Sequence, residues 1–298
     1  MQYKIPNVKN KYGFGDCRQA IIQTVIFNYG INFDSLPALY FGFHFAVEAD
    51  GSYILDKAGL IDDTKNDWLI DIHGVRISNE PFNEGKIKSY MNSNTPVTII
   101  VDTYDYANCF GYQKVHTEHD LLVKNFQDNK IECCDPYSEV HDFVITPGKI
   151  LIKDEMIVFR KATLNYQNDI QTVILSACKY YLKQDYNKNV ILFAEHLNDL
   201  CANDYFGSVT NAILSPFFIR YRSIIANRYS LLPLVSSLMN MEYFIVLFKK
   251  IVKEWNNSYM LFMKLLSTKD ETLKMDISDH LFKIAKFEYE FCLNYISL

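Results

Sequence analysis

Apolar spacing changes along this chain, and each change predicts a different element. From Cys17 to Tyr29 it is helical, with Ala20, Ile21, Thr24, Val25 and Asn28 on one face, Asp16 as N-cap and Gly30 as the C-terminal stop. Tyr40 to Glu48 alternates rings with small residues around Gly42 and reads as a loop entering a short packing strand. Asp50-Gly51 signals a tight turn, and Trp68-Leu69-Ile70 reads as a buried strand. Glu84 to Asn92 predicts a short polar helix. Pro96 to Asp102 is apolar on both faces and largely β-branched, as in the middle of a sheet. His119 to Phe126 and Lys130 to Pro136 form a hairpin about Gln127-Asp128-Asn129, and Ile150 to Ile152 and Met156 to Phe159 add strands.

After about Thr163 strand signals give way to helical spacing over Asp169–Tyr181, Val190–Ala202, Val209–Ala226, Leu232–Lys253 and Ile277–Tyr295. Strands first and helices afterwards predict an α+β chain of two domains, residues 1–163 and an all-α domain over 164–298.

At 298 residues, 49% hydrophobic and 22% charged, the chain can bury full cores. A net charge of -5 without a basic stripe argues against nucleic acid. The N-terminus lacks the apolar run of a signal peptide and no stretch approaches a membrane span, so a cytoplasmic protein is expected. Seven scattered cysteines without a C-x-x-C pair indicate free thiols.

Candidate chemistry gathers in the first half. Cys17 opens its helix, where unpaired N–H groups and the positive end of the helix dipole favour a thiolate. His119 opens one strand of the hairpin and Asp135 closes the other, which can bring imidazole and carboxylate to one end of the sheet. The thiolate attacks a carbonyl, the imidazole carries the proton and the carboxylate orients the imidazole. His116, in the preceding loop, competes as base, but the aliphatic strand directly after His119 favours the latter. No metal site is expected, because Cys133 and Cys134 point to opposite faces of a strand and cannot readily join His116 and His119 around zinc. Asp102 and Tyr104, at a strand end, together with His116 and Gly42, are the candidate substrate-binding residues.

The order Cys, His, Asp is that of a papain-like fold, a central helix packed on an antiparallel sheet. Gly15-Asp16-Cys17 with Ala20 and Tyr29-Gly30-Ile31, then Leu39 to Phe43, Pro96 to Asp102 with Tyr104, and His119 to Asp128 with Asp135-Pro136 resemble the N-terminal domain family of butirosin biosynthesis protein H. The helical half, with Phe218-Ile219-Arg220 and Trp255, is similar to the domain that often follows it. The resemblance implies a papain-like acyltransferase of secondary metabolism, of the group tied to amide formation in thioamide antibiotic pathways. Such an enzyme takes an acyl group from the phosphopantetheine thioester of an acyl or peptidyl carrier protein onto Cys17 and passes it to an amine or diamine. No cofactor of its own is implied, since the donor carries the phosphopantetheine. Lys4, Lys9 and Lys11, or Lys249, Lys250 and Lys253, are candidate contacts for an acidic carrier protein, and neither nucleic acid nor membrane is an expected partner. A hydrolase or peptidase using the same three residues, and a non-catalytic binding protein of the same fold, are the alternatives.

Overall fold

The computed structural model describes residues 1–7, 15–49, 53–62, 68–109, 111–146, 151–163, 169–197, 215–238 and 242–298. They form mixed helix and antiparallel sheet, an α+β chain. The helices are α1 (Cys17–Asn28), α2 (Leu36–Leu39), α3 (Trp68–His73), α4 (Glu84–Asn92), α5 (Ile170–Lys183), α6 (Tyr186–His196), α7 (Pro216–Leu238), α8 (Glu242–Thr268) and α9 (Leu273–Ile296). The strands are β1 (Gly42–Val47), β2 (Tyr53–Ala58), β3 (Val75–Pro81), β4 (Val97–Asp102), β5 (Glu118–Gln127), β6 (Lys130–Asp135), β7 (Val140–Ile145) and β8 (Leu151–Lys161). Among the described residues no helix is long and apolar enough to cross a membrane.

The chain divides into two compact units. The first comprises the described residues of Met1–Val8, Asp16–Phe33 and Leu69–Gln167. The second comprises those of Lys9–Gly15, Asp34–Trp68 and Asn168–Leu298. A single cut near residue 163 therefore does not separate them, because residues 34–68 go with the C-terminal helices. Aromatic packing explains the assignment: the Phe43 ring lies 5.7 Å from Phe193 and 5.6 Å from Trp255, and Phe45 lies 5.0 Å from Phe193. The β1–β2 hairpin supplies rings to a core otherwise made by helices.

In the first unit a six-stranded antiparallel sheet runs in the order β3-β8-β4-β5-β6-β7. The β-branched run after Pro96 becomes β4, an interior strand buried from Val97 to Val101. The β5–β6 hairpin turns through Asp128 and Asn129, at φ 51° and 56°. Two positive-φ residues make the type I′ turn that matches strand twist, and Asp and Asn tolerate that conformation best after glycine.

Several elements differ from expectation. Trp68-Leu69-Ile70 begins the helix α3, in which Leu69, Ile70 and His73 are buried. A run of three apolar residues is too short for its period to separate strand from helix, and the deciding residue, His73, lies one turn beyond it. The two predicted segments at 150–152 and 156–159 are one strand, β8, as far as they are described. The span Leu232–Lys253 covers two helices, α7 and α8, because apolar spacing runs through both. Asp50-Gly51, Ile150 and residues 198–214, which include the end of the span Val190–Ala202 and the start of Val209–Ala226, lie outside the described residues.

Candidate active site

Asp16 sits in extended conformation and its Oδ1 accepts the Gln19 N–H at 2.8 Å, which starts α1 at Cys17. Cys17 is therefore the first helical residue, where a backbone N–H has no intrahelical acceptor. The helix closes as predicted: Gly30, at φ 73°, donates to Phe27, and Ile31 donates to Ile26. This is a Schellman motif, and its left-handed residue is the glycine. Burial extends over every residue from Gln19 to Ile26 rather than one face. A helix buried all round holds its first turn in a fixed place.

His119 and Asp135 meet because of hairpin register. The pairing Leu122↔Cys134, continued one step, sets Asp135 opposite residue 121, so His119 is its diagonal neighbour on the same face. His119 Nε2 and Asp135 Oδ2 are 2.8 Å apart, with both side chains buried. Asp135 is fully engaged. Its Oδ1 accepts the N–H groups of Tyr137 and Ser138, and Tyr106 donates its hydroxyl to Oδ2 at 3.2 Å. The Tyr106 ring stacks on the imidazole at 5.5 Å, and Tyr137 meets it edge-on at 6.1 Å. The imidazole is thus oriented by a carboxylate and two rings.

The hydrogen bond of the Cys17 thiol goes to Asp120 Oδ2, at 3.7 Å, and toward His119 the sulfur acts electrostatically. Burial alone would lower the His119 pKa, but the hydrogen bond to Asp135 and the interactions with Cys17 and the Asp135 charge outweigh it and hold the pKa well above its ordinary value. Burial would likewise raise Asp135, yet its bonds to His119 and Ser138 hold it below the usual carboxylate range. The other three thiols of the unit are buried or half-buried. Burial pushes Cys134 up to about 12, drives Cys133 well above the ordinary thiol value and raises Cys109, leaving them protonated at neutral pH.

Asp102, Tyr104 and His116 form a second cluster at the end of β4. His116 Nδ1 lies 2.8 Å from Asp102 Oδ2, and the Tyr104 ring stacks on its imidazole at 4.3 Å. With its side chain 69% exposed, His116 is a surface imidazole committed to its own carboxylate. Gly42 lies in the second unit. A Cβ there would come within 2.5 Å of the Ala58 carbonyl and 2.6 Å of the Tyr186 ring, and its own carbonyl accepts from Arg228. Close packing accounts for that glycine. Lys4, Lys249, Lys250 and Lys253 are exposed, whereas Lys9 and Lys11 lie outside the described residues.

Two charged residues beside the cysteine are absent from the sequence reading. Asp120, 4% exposed, sits 3.7 Å from the Cys17 sulfur through Oδ2 and receives a two-pronged bond from Arg18. The Arg18 Nε lies 2.6 Å from Oδ2 and a terminal nitrogen 2.9 Å from Oδ1. The available signal was adjacency: Arg18 follows the cysteine and Asp120 follows the histidine, with opposite charges. Tyr106 and Tyr137 carry no such signal, since 21 tyrosines offer no reason to select two.

No family model matches the chain, and no curated protein matches it.

Proposed function

We propose that this protein is a cysteine-dependent acyltransferase with a papain-like catalytic unit, forming an amide from a carrier-bound thioester and an amine. The observation that carries the reading is one buried imidazole bonded to Asp135 and electrostatically coupled to a thiol at a helix N-terminus. With Nε2 engaged by Asp135, Nδ1 is the nitrogen that exchanges a proton with sulfur.

In the first half-reaction the Cys17 thiolate attacks the thioester carbonyl. The Cys17 backbone N–H, free of intrahelical bonding, is available to the developing oxyanion. As the tetrahedral intermediate collapses, the bond to the pantetheine sulfur breaks and the His119 imidazolium gives that sulfur its proton. In the second half-reaction the amine attacks acyl-Cys17, His119 takes a proton from its nitrogen, and the Cys17 thiolate leaves. Atoms and charge balance with no further reagent. Asp135 keeps the tautomer and steadies the imidazolium without being protonated itself. A thioester is far more activated than an amide, so a single backbone donor demands less of the site here than peptide hydrolysis would. A role for the Asp102, Tyr104 and His116 cluster in binding the acceptor belongs to the same proposal.

The test is an intact-mass measurement after brief incubation with an acyl-pantetheine thioester, with and without a diamine, beside Cys17→Ala. An acyl adduct on Cys17 that the amine discharges as an amide is the expected result, and Cys17→Ala should form none while its circular dichroism spectrum is unchanged. Amide synthesis retained in that variant overturns the proposal. An adduct cleared equally fast by water alone assigns the same three residues to a hydrolase instead.

A further inference from the structure

We propose that the Arg18–Asp120 pair sets the charge balance at the Cys17 thiol, Asp120 favouring the thiol and Arg18 the thiolate. This rests on Cys17 being the reactive thiol of the site described above.

Two groups act on the sulfur's proton: Asp120 Oδ2, at 3.7 Å, and the His119 imidazole, which interacts with it electrostatically. They act in opposite senses. Transfer to imidazole yields a thiolate beside a cation, while a carboxylate accepting the S–H bond stabilises the neutral thiol and repels the thiolate. Asp120 cannot turn away, because both of its oxygens are gripped by the planar guanidinium of Arg18. The same guanidinium, one residue from Cys17, supplies a positive charge that favours thiolate. Among the described residues, the charged groups that act on the sulfur are Arg18 from α1 and His119 and Asp120 from β5, with the N-cap Asp16 next to Cys17 in the chain. Asp135 of β6 acts through His119. Removing either member of the pair therefore leaves the other uncompensated. A pair that only tied α1 to β5 would respond to the loss of either partner in the same direction.

The experiment measures carbamidomethylation of Cys17 by iodoacetamide across pH, read by peptide mass, in the full chain. Asp120→Asn should react about tenfold faster at mildly acid pH, with its profile displaced to lower pH. Arg18→Gln should react about tenfold slower, displaced to higher pH, and the double variant should return to within about threefold of the parent. Arg18→Lys keeps the charge without the fork and should stay within about threefold. Both single variants slower, or both unmoved in profile, overturn the proposal. Should Arg18→Gln fail to fold, Asp120→Asn decides alone: it must accelerate. If no acyl-Cys17 forms from a thioester yet the single variants diverge, the functional reading falls and this inference stands. If acyl-Cys17 forms and the variants do not diverge, only this inference falls.

Discussion

Three residues of the first unit respond to pH in different windows. Burial lowers His73 to about 4, and as a neutral ring its Nδ1 donates to the Asn32 carbonyl. Unfolded, it titrates near 6.5, so the unfolded chain binds a proton that the fold refuses, and stability falls as pH drops from about 6.5 to about 4. That loss amounts to about 3 kcal/mol in order of magnitude, and His73→Leu should remove most of it in urea unfolding followed across pH. His119 has the opposite sign. Its raised folded value gives stability that is complete below about pH 6.5 and lost as pH rises through that folded value. Asp135 is depressed, so its contribution is present above about pH 3.9 and lost as pH falls through its lower folded value. Asp135→Asn should abolish this last, most acid component and bring the alkaline loss from His119 closer to pH 6.5. Thermal melts between about pH 3 and about pH 10 check both shifts.

At the scale of the element, α1 delivers Cys17 because both of its ends are closed. Asp16→Ala removes the side-chain acceptor for Gln19 and should cost about 1 kcal/mol of stability. Frayed at its first turn, that variant should also slow Cys17 alkylation. Gly30→Ala meets nothing within 4 Å, so its cost, about 1 kcal/mol, comes from the positive φ alone. The two variants should thus match in urea midpoint and differ in alkylation rate. Equal rates would show that the cap does not govern the thiol. In the sheet, the two-residue turn at Asp128 and Asn129 fixes hairpin register. An inserted residue there would flip every β6 side chain to the other face and separate Asp135 from His119.

Across the whole molecule, residues 34–68 belong to the second unit although the first unit both precedes and follows them in the chain. A fragment ending at residue 163 would leave Phe41, Phe43 and Phe45 without the helical rings that bury them. That fragment should aggregate or bind a hydrophobic dye, and co-expression with residues 164–298 should relieve this. A soluble, cooperatively melting fragment would refute the expectation. The helical core also holds a completely buried ion pair, Arg228 Nε to Glu288 Oε1 at 3.0 Å. Trp255 and Tyr181 donate to the same carboxylate, and the guanidinium lies over the Phe41 and Trp255 rings. Arg228→Met leaves Glu288 buried without its cation and should destabilise the second unit by about 3–5 kcal/mol, seen as a lower urea midpoint. Arg228→Met with Glu288→Leu should recover much of that loss, because the penalty is the unpaired charge rather than the missing bond.

Local chemistry was legible in the sequence. Caps, stops, turn residues and β-branched runs act within a few positions of themselves, so α1, α4, β4 and the β5–β6 hairpin follow from the residues alone. So did the approach of His119 to Asp135, since hairpin register is a local quantity. Partition of the chain was not legible. Whether residues 34–68 join strands or helices depends on which distant rings bury Phe43 and Phe45, and no local period encodes that. The identity of α3 turned on the burial of His73, a polar residue whose place only packing decides. Arg18 and Asp120 belong to the same class. Their charges were plain in the sequence, but two residues 102 positions apart become a pair beside a sulfur only once α1 lies against β5. Tertiary structure alone sets such distances, and electrostatic effects depend on distance more than on residue type.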